Sequence, residues 1–154
     1  MTTSLERLSG LVHGRSLTIA VAESLTCGLL ASEIGKGEQA GEWFAGAVVA
    51  YQMPVKVHVL GVPAGVDPCS AECAETLAQG VRALLQADLA VSTTGVGGPD
   101  SEDGHPPGTV FVGWALDGRS GAEQLELTGD PGEVLQQTVE HALRLLVELV
   151  QGDH

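Results

Sequence analysis

Aromatic and basic side chains are the two things this chain is short of. Phe, Trp and Tyr make up 3% of its 154 residues, so Leu, Val and Ala have to fill the core. Seven lysines and arginines stand against twenty aspartates and glutamates, a net charge of −13. No basic cluster exists to neutralise a phosphate backbone, which argues against nucleic acid as a partner. Three cysteines, at 27, 69 and 73, are an odd count at irregular spacing and do not make a secreted disulfide framework. Cys69 and Cys73 form C-x3-C with no second pair, short of the four ligands of a structural zinc site. The histidines are scattered, and only His105 falls in a long loop. No metal or other cofactor is expected. No basic segment followed by an apolar run marks a signal peptide, and no run nears the ~20 residues of a membrane span. These absences predict a cytoplasmic protein with reduced thiols and no membrane partner.

What is present suits one domain over residues 1–154. Hydrophobic content of 44% argues against disorder, and 21 glycines imply tight turns and close backbone approaches. Thr3 and Glu6 are spaced as a capping box before a first helix that ends near Gly14. "LTIAVA" reads as a buried strand. From Leu25 onward Leu29, Leu30 and Ile34 recur at helical spacing. "GKGEQAGE" reads as a loop and "AGAVVAY" as a second strand. Pro54 opens a short helix, and Ser70 caps a longer one from Ala71 to about Ala87. "LAVSTTG", "TVFVGWAL" and "AEQLEL" are three more strands, the last two joined by a hairpin through "DGRSG". Asp130, Pro131 and Glu133 announce the final helix. Early alternation of strand and helix followed by a late hairpin predicts an α/β fold, a three-layer α/β/α sandwich on a mixed, mostly parallel five-stranded sheet.

Three strands end in polar residues. The first runs into Glu23-Ser24-Leu25-Thr26, the second into Tyr51 with Lys56 five residues on, and the third into Thr94-Gly95 and the irregular segment "VGGPDSEDGHPPG". Parallel strands would bring these ends to one edge of the sheet, where α/β proteins bind ligands. The residue types supply acyl chemistry: a serine hydroxyl as nucleophile and a lysine whose pKa burial could lower into a base. Tyr51 could relay a proton, and amides after Ser24 could hold an oxyanion. Each residue has a plainer reading. Ser24 could be a helix N-cap, Lys56 could lie on an exposed helix face, and Tyr51 could rest its ring on the core. Glu23 could be a solvated helix-start carboxylate. Neither G-x-S-x-G nor S-x-x-K is present, and the glycine-rich segment lacks the G-K-[ST] ending of a nucleotide P-loop.

"VAESLTCGLLAS", "GAVVAYQMPVKVHVLGV" and "TTGVGGPD…PPGTVFVGWA" resemble, in order and spacing, the C-terminal domain of the CinA (competence/damage-inducible protein) family. The resemblance runs from about residue 5 to 150. Stand-alone members are nicotinamide-nucleotide amidohydrolases, which convert nicotinamide mononucleotide to nicotinate mononucleotide and ammonia. It implies the three-layer fold, a small-molecule nucleotide substrate, no cofactor, and a homodimer. It carries the catalytic residues onto Ser24, Tyr51 and Lys56. Glu23, Thr26, Cys27, Gly28, Thr94, Gly95 and Gly97 are the substrate-binding residues expected beside them. The chain departs from the family pattern at Leu25 (usually Cys) and at Cys27 (usually Gly), where the bulkier Cys27 would crowd the oxyanion site. It departs again at Met53 (usually Asn), and at Pro131 and Leu135, where the family tends to carry arginines. These changes bear on the substrate more than on the fold. A catalytically silent binding module and an amidase for another small amide are the alternatives.

Overall fold

The strands of this chain have two unlike faces, and that difference dictates the layers. In β1 (Ile19–Glu23) the residues Ile19 and Val21 join one core, while Ala20 and Ala22 join another on the opposite face. In β3 (Leu89–Gly95) Leu89 and Val91 repeat the bulky side and Ala90 the small side. The computed structural model, which describes residues 1–154, shows helices on both faces. The bulky face carries α1 (Ser4–Val12), α2 (Leu29–Ile34) and α6 (Pro131–Gln151). The alanine face carries α4 (Met53–Leu60) and α5 (Ala71–Leu84). A short α3 (Ala40–Trp43) precedes β2 (Phe44–Val49).

The sheet order is β2-β1-β3-β4-β5, with β4 spanning Thr109–Leu116 and β5 spanning Arg119–Glu126. β1 pairs in parallel with both β2 and β3, and the β3–β4 and β4–β5 pairs are antiparallel. Four of the five strands therefore point one way, in the mixed three-layer α/β/α arrangement that the pattern predicts. The chain leaves β1 towards β2 and leaves β3 towards β4, in opposite directions. That divergence opens a crevice beyond the C-terminal ends of β1 and β3, the switch point at which open α/β sheets bind ligands.

Small residues on the alanine face let α5 sit directly on the sheet. A Cβ added to Gly113 of β4 would lie 2.1 Å from the Ala74 carbonyl oxygen, and one added to Gly80 of α5 would lie 2.1 Å from that of Leu60. With so few aromatic rings, a thin, closely packed layer replaces a thick one.

The structure refines several boundaries. The second helix starts at Leu29 instead of Leu25, because a turn occupies residues 24–28. The segment read as a plain loop before β2 leads into α3. β5 begins at Arg119, so the hairpin turn is only Asp117-Gly118, with Gly118 in the left-handed region at φ 76°. α5 stops at Leu84, where Gln86 turns left-handed at φ 54°. Thr3 accepts from the Glu6 amide, half of the expected box. Asp130 and Glu133 form the whole reciprocal box. No helix is long and apolar enough to cross a membrane.

Gly113→Ala is expected to lower unfolding stability by about 1–3 kcal/mol through overpacking. Gly10→Ala, on an open stretch of α1, is expected to stabilise by up to about 1 kcal/mol. Urea denaturation of both variants checks the contrast.

Candidate active site

The turn after β1 is built around one carboxylate. Glu23 is 1% exposed and on the bulky face of the sheet. Its Oε1 accepts from the Leu30 amide at 2.9 Å and from Thr26 Oγ1 at 2.6 Å, and its Oε2 accepts from the Ala31 amide at 3.0 Å. Thr26 spends its proton on Glu23, so Thr93 Oγ1, 2.7 Å away, is the donor in the next link. The first amides of α2 have no partner within the helix, and the negative charge meets the positive end of its dipole. Glu23 thus replaces an N-cap side chain that Gly28, at φ 97°, cannot supply. The main chain is held as well: the Ser24 amide donates to Thr93 O at 3.0 Å and the Ala50 amide to Glu23 O at 2.8 Å.

These bonds leave Ser24 facing the crevice at the tip of β1. A cleft of about 400 Å³ opens there, lined on one side by Ser24, Leu25, Tyr51 and Lys56. Pro68 and Cys69 form the wall leading into α5, and Thr94 to Gly98 form the floor and far side. Glu102 and Asp103 border it from the long loop, and Pro131 and Leu135 from the start of α6.

Lys56 is the feature that the plainer sequence reading misplaces. It is 3% exposed, because Lys56 and Leu60 form the buried stripe of α4 at i, i+4 spacing. Its Nζ donates to the Tyr51 carbonyl at 2.8 Å and forms no ion pair. Burial lowers its pKa from 10.5, and the smaller effect of the nearby Cys73 raises it. The Cys73 thiol is pushed up, again chiefly by burial. A desolvated amine without a carboxylate partner is the arrangement that favours a neutral base.

Tyr51 enters through its main chain. Its carbonyl anchors Lys56, while its side chain is 62% exposed at the cleft mouth and does not rest on the core. Thr94, Gly95 and Gly97 line the cleft, and Thr94 Oγ1 donates to Pro68 O at 2.6 Å, tying floor to wall. The other four expected contact residues lie off it. Glu23 and Thr26 are buried structural groups behind Ser24, and Ser24 itself is not a helix cap. Gly28 is the N-cap of α2, and Cys27 is exposed on the outer side of the turn. Cys27 takes φ 46°, a left-handed conformation costing about 1–2 kcal/mol for a residue with a Cβ. A glycine at that position adopts it freely, so the substitution strains the turn instead of crowding the site. Met53 likewise packs against the α4–α5 core and does not face the cleft.

Leu25 lines the cleft and its amide donates to no backbone acceptor, whereas the Cys27 amide is spent on Ser24 O. Cys69 and Leu25 were not among the residues expected to contact a ligand. Cys69 gives no signal in sequence beyond its type, and Leu25 reads there as one position of a helical apolar spacing.

A three-layer domain with serine, buried lysine and a free amide at the C-terminal edge of parallel strands is the class that fold and site define. The chain belongs to the CinA C-terminal domain family, whose model matches residues 2–150. It is 40% identical over 157 residues to a competence-damage inducible protein of Geobacillus kaustophilus and 34% identical over 154 residues to one of Bacillus subtilis. These alignments cover 99% and 97% of this chain but 37% of each relative, so the chain spans little more than a third of their length. Among solved structures, a CinA superfamily protein from Klebsiella pneumoniae superposes with a TM-score of 0.91 at 28% identity, covering 97% of this chain and 96% of that one. One from Escherichia coli gives 0.90 at 30% identity, covering 95% and 88%.

The lysine makes a pH prediction. Below 10.5 the unfolded chain holds a proton on Lys56 that the folded chain binds less readily, so its contribution to stability rises with pH towards 10.5. Cys69 and Cys73, with raised pKa values when folded, act in the opposite sense above pH 9. Comparing the wild type with Lys56→Met isolates the lysine. The stability advantage of Lys56→Met should be largest near neutral pH and shrink as pH approaches 10.5, read from urea midpoints.

Proposed function

We propose that the cleft is a serine amidase site acting on the carboxamide of an N-substituted nicotinamide, with ammonia as the leaving group. Lys56, buried without a counter-ion in the same cleft as Ser24, is the observation that carries this reading. The neutral amine takes the Ser24 proton as Oγ adds to the amide carbon. The Leu25 amide donates to the resulting oxyanion. Collapse of the tetrahedral intermediate breaks the C–N bond, and the Lys56 ammonium returns its proton to the departing nitrogen. Water then attacks the acyl-serine, its proton again accepted by Lys56, and as the acyl C–O bond breaks Lys56 returns that proton to Ser24 Oγ and the carboxylic acid leaves. Tyr51 holds the amine through its carbonyl and borders the mouth with its ring.

The alternative of a silent binding module draws on one observation. The resolved hydrogen bond of Lys56 Nζ goes to Tyr51 O, and the serine–lysine contact has to form when substrate arrives.

Ammonia release from nicotinamide mononucleotide and related carboxamides decides between them. Ser24→Ala and Lys56→Met should each lose at least about 100-fold in rate, the scale of general-base assistance. Tyr51→Phe should stay within a few-fold of the wild type, because the carbonyl survives the substitution. Equal, background ammonia from the wild type and Ser24→Ala on every carboxamide would establish the silent module.

A further inference from the structure

Charge around the cleft runs against a phosphorylated ligand. Of the seven lysines and arginines in the chain, Lys56 alone lines it. That amine is buried and held by a carbonyl, and burial lowers its pKa. Glu102 and Asp103 border the same space, and Pro131 and Leu135 fill the α6 side with apolar surface. Asp67 stands just behind the wall, joined to His105 at 2.7 Å and accepting from the Cys69 amide at 2.9 Å.

The buried wall reports the resulting field. The Cys69 thiol is pushed up to about 11, first by burial and then by Asp67, Cys73, Glu102 and Asp103. Three carboxylates from two separate loops thus act on one point of the cleft surface. Two features pull the other way, the amides of Gly97 and Gly98, which donate to no backbone acceptor. They are neutral dipoles, and a phosphate beside two carboxylates still meets like charge with no exposed lysine or arginine to bridge it.

A nicotinamide carrying a sugar on its ring nitrogen has a permanent positive charge on the ring, and the nucleotide adds a phosphate to it. The ring suits this cleft: carboxylates attract it, and the exposed Tyr51 ring offers a π face at the mouth. The phosphate does not. Resting on the amidase reading for the placement of the carboxamide at Ser24, we propose that the cleft selects a cationic, phosphate-free N-substituted pyridine carboxamide, with Glu102 and Asp103 as its specificity residues.

The test measures binding and turnover separately. Nicotinamide riboside, nicotinamide mononucleotide and uncharged nicotinamide are titrated calorimetrically into Ser24→Ala protein, and ammonia release is followed with the wild type. The riboside is expected to bind at least about tenfold more tightly than the mononucleotide at low salt. Exposed carboxylates are screened within about 10 Å at 0.1 M salt, so the gap should narrow as salt rises. It should narrow also in Glu102→Gln/Asp103→Asn, whose fold is checked by circular dichroism. The salt series on the unaltered loop gives a second readout should that variant misfold. Equal or tighter binding of the mononucleotide overturns the charge selection while leaving the amidase reading standing. Preferential riboside binding without ammonia supports the charge selection and overturns the amidase. Absence of binding by both pyridinium carboxamides overturns both.

Discussion

A single buried carboxylate determines how the rest of the site is arranged. Glu23 ends β1, yet its side chain caps α2 seven and eight residues later and gathers Thr26 and Thr93 into one hydrogen-bonded set. A charge this deep is tolerated because four donors and a helix terminus face it directly or through Thr26. The turn between strand and helix is thereby pulled closed, and Ser24 is left on the opposite side, towards the crevice. Serine placement is a by-product of satisfying glutamate.

Lys56 has the complementary relation to its surroundings. Glu23 is buried with every oxygen engaged, whereas Lys56 is buried with one carbonyl and a thiol that burial keeps protonated. The first group is fixed in one position by its bonds. The second is held by one hydrogen bond, and burial lowers its pKa. Both effects arise from side chains at the same edge of the sheet, one on each face.

Periodicity made much of the architecture legible before coordinates. β3 and β4 start and stop where their apolar runs do, because both are interior strands packed on two faces. Asp130 was readable as a cap since its box is local chemistry. The start of α2 was not readable: Leu25 fits a helical spacing, but the left-handed residues Cys27 and Gly28 keep residues 24–28 in a turn. At the site, Ser24, Tyr51, Lys56, Thr94, Gly95 and Gly97 were visible from strand ends and family resemblance. Glu23, Thr26, Cys27 and Gly28 were adjacent in sequence and therefore grouped with Ser24, yet a sharp turn sends neighbouring side chains to opposite faces. The burial of Lys56 was hidden because α4 is apolar on nearly every side and its inner stripe carries no hydrophobic contrast.

The direct seating of α5 on the sheet has a mechanical consequence. With Gly113 of β4 against Ala74 of α5, and Gly80 of α5 against Leu60 at the end of α4, helix meets strand and helix meets helix with no interstitial space, and the layer behind Pro68 and Cys69 has little room to recede. The α5 side of the crevice is consequently its unyielding side, the fixed jaw of a vice.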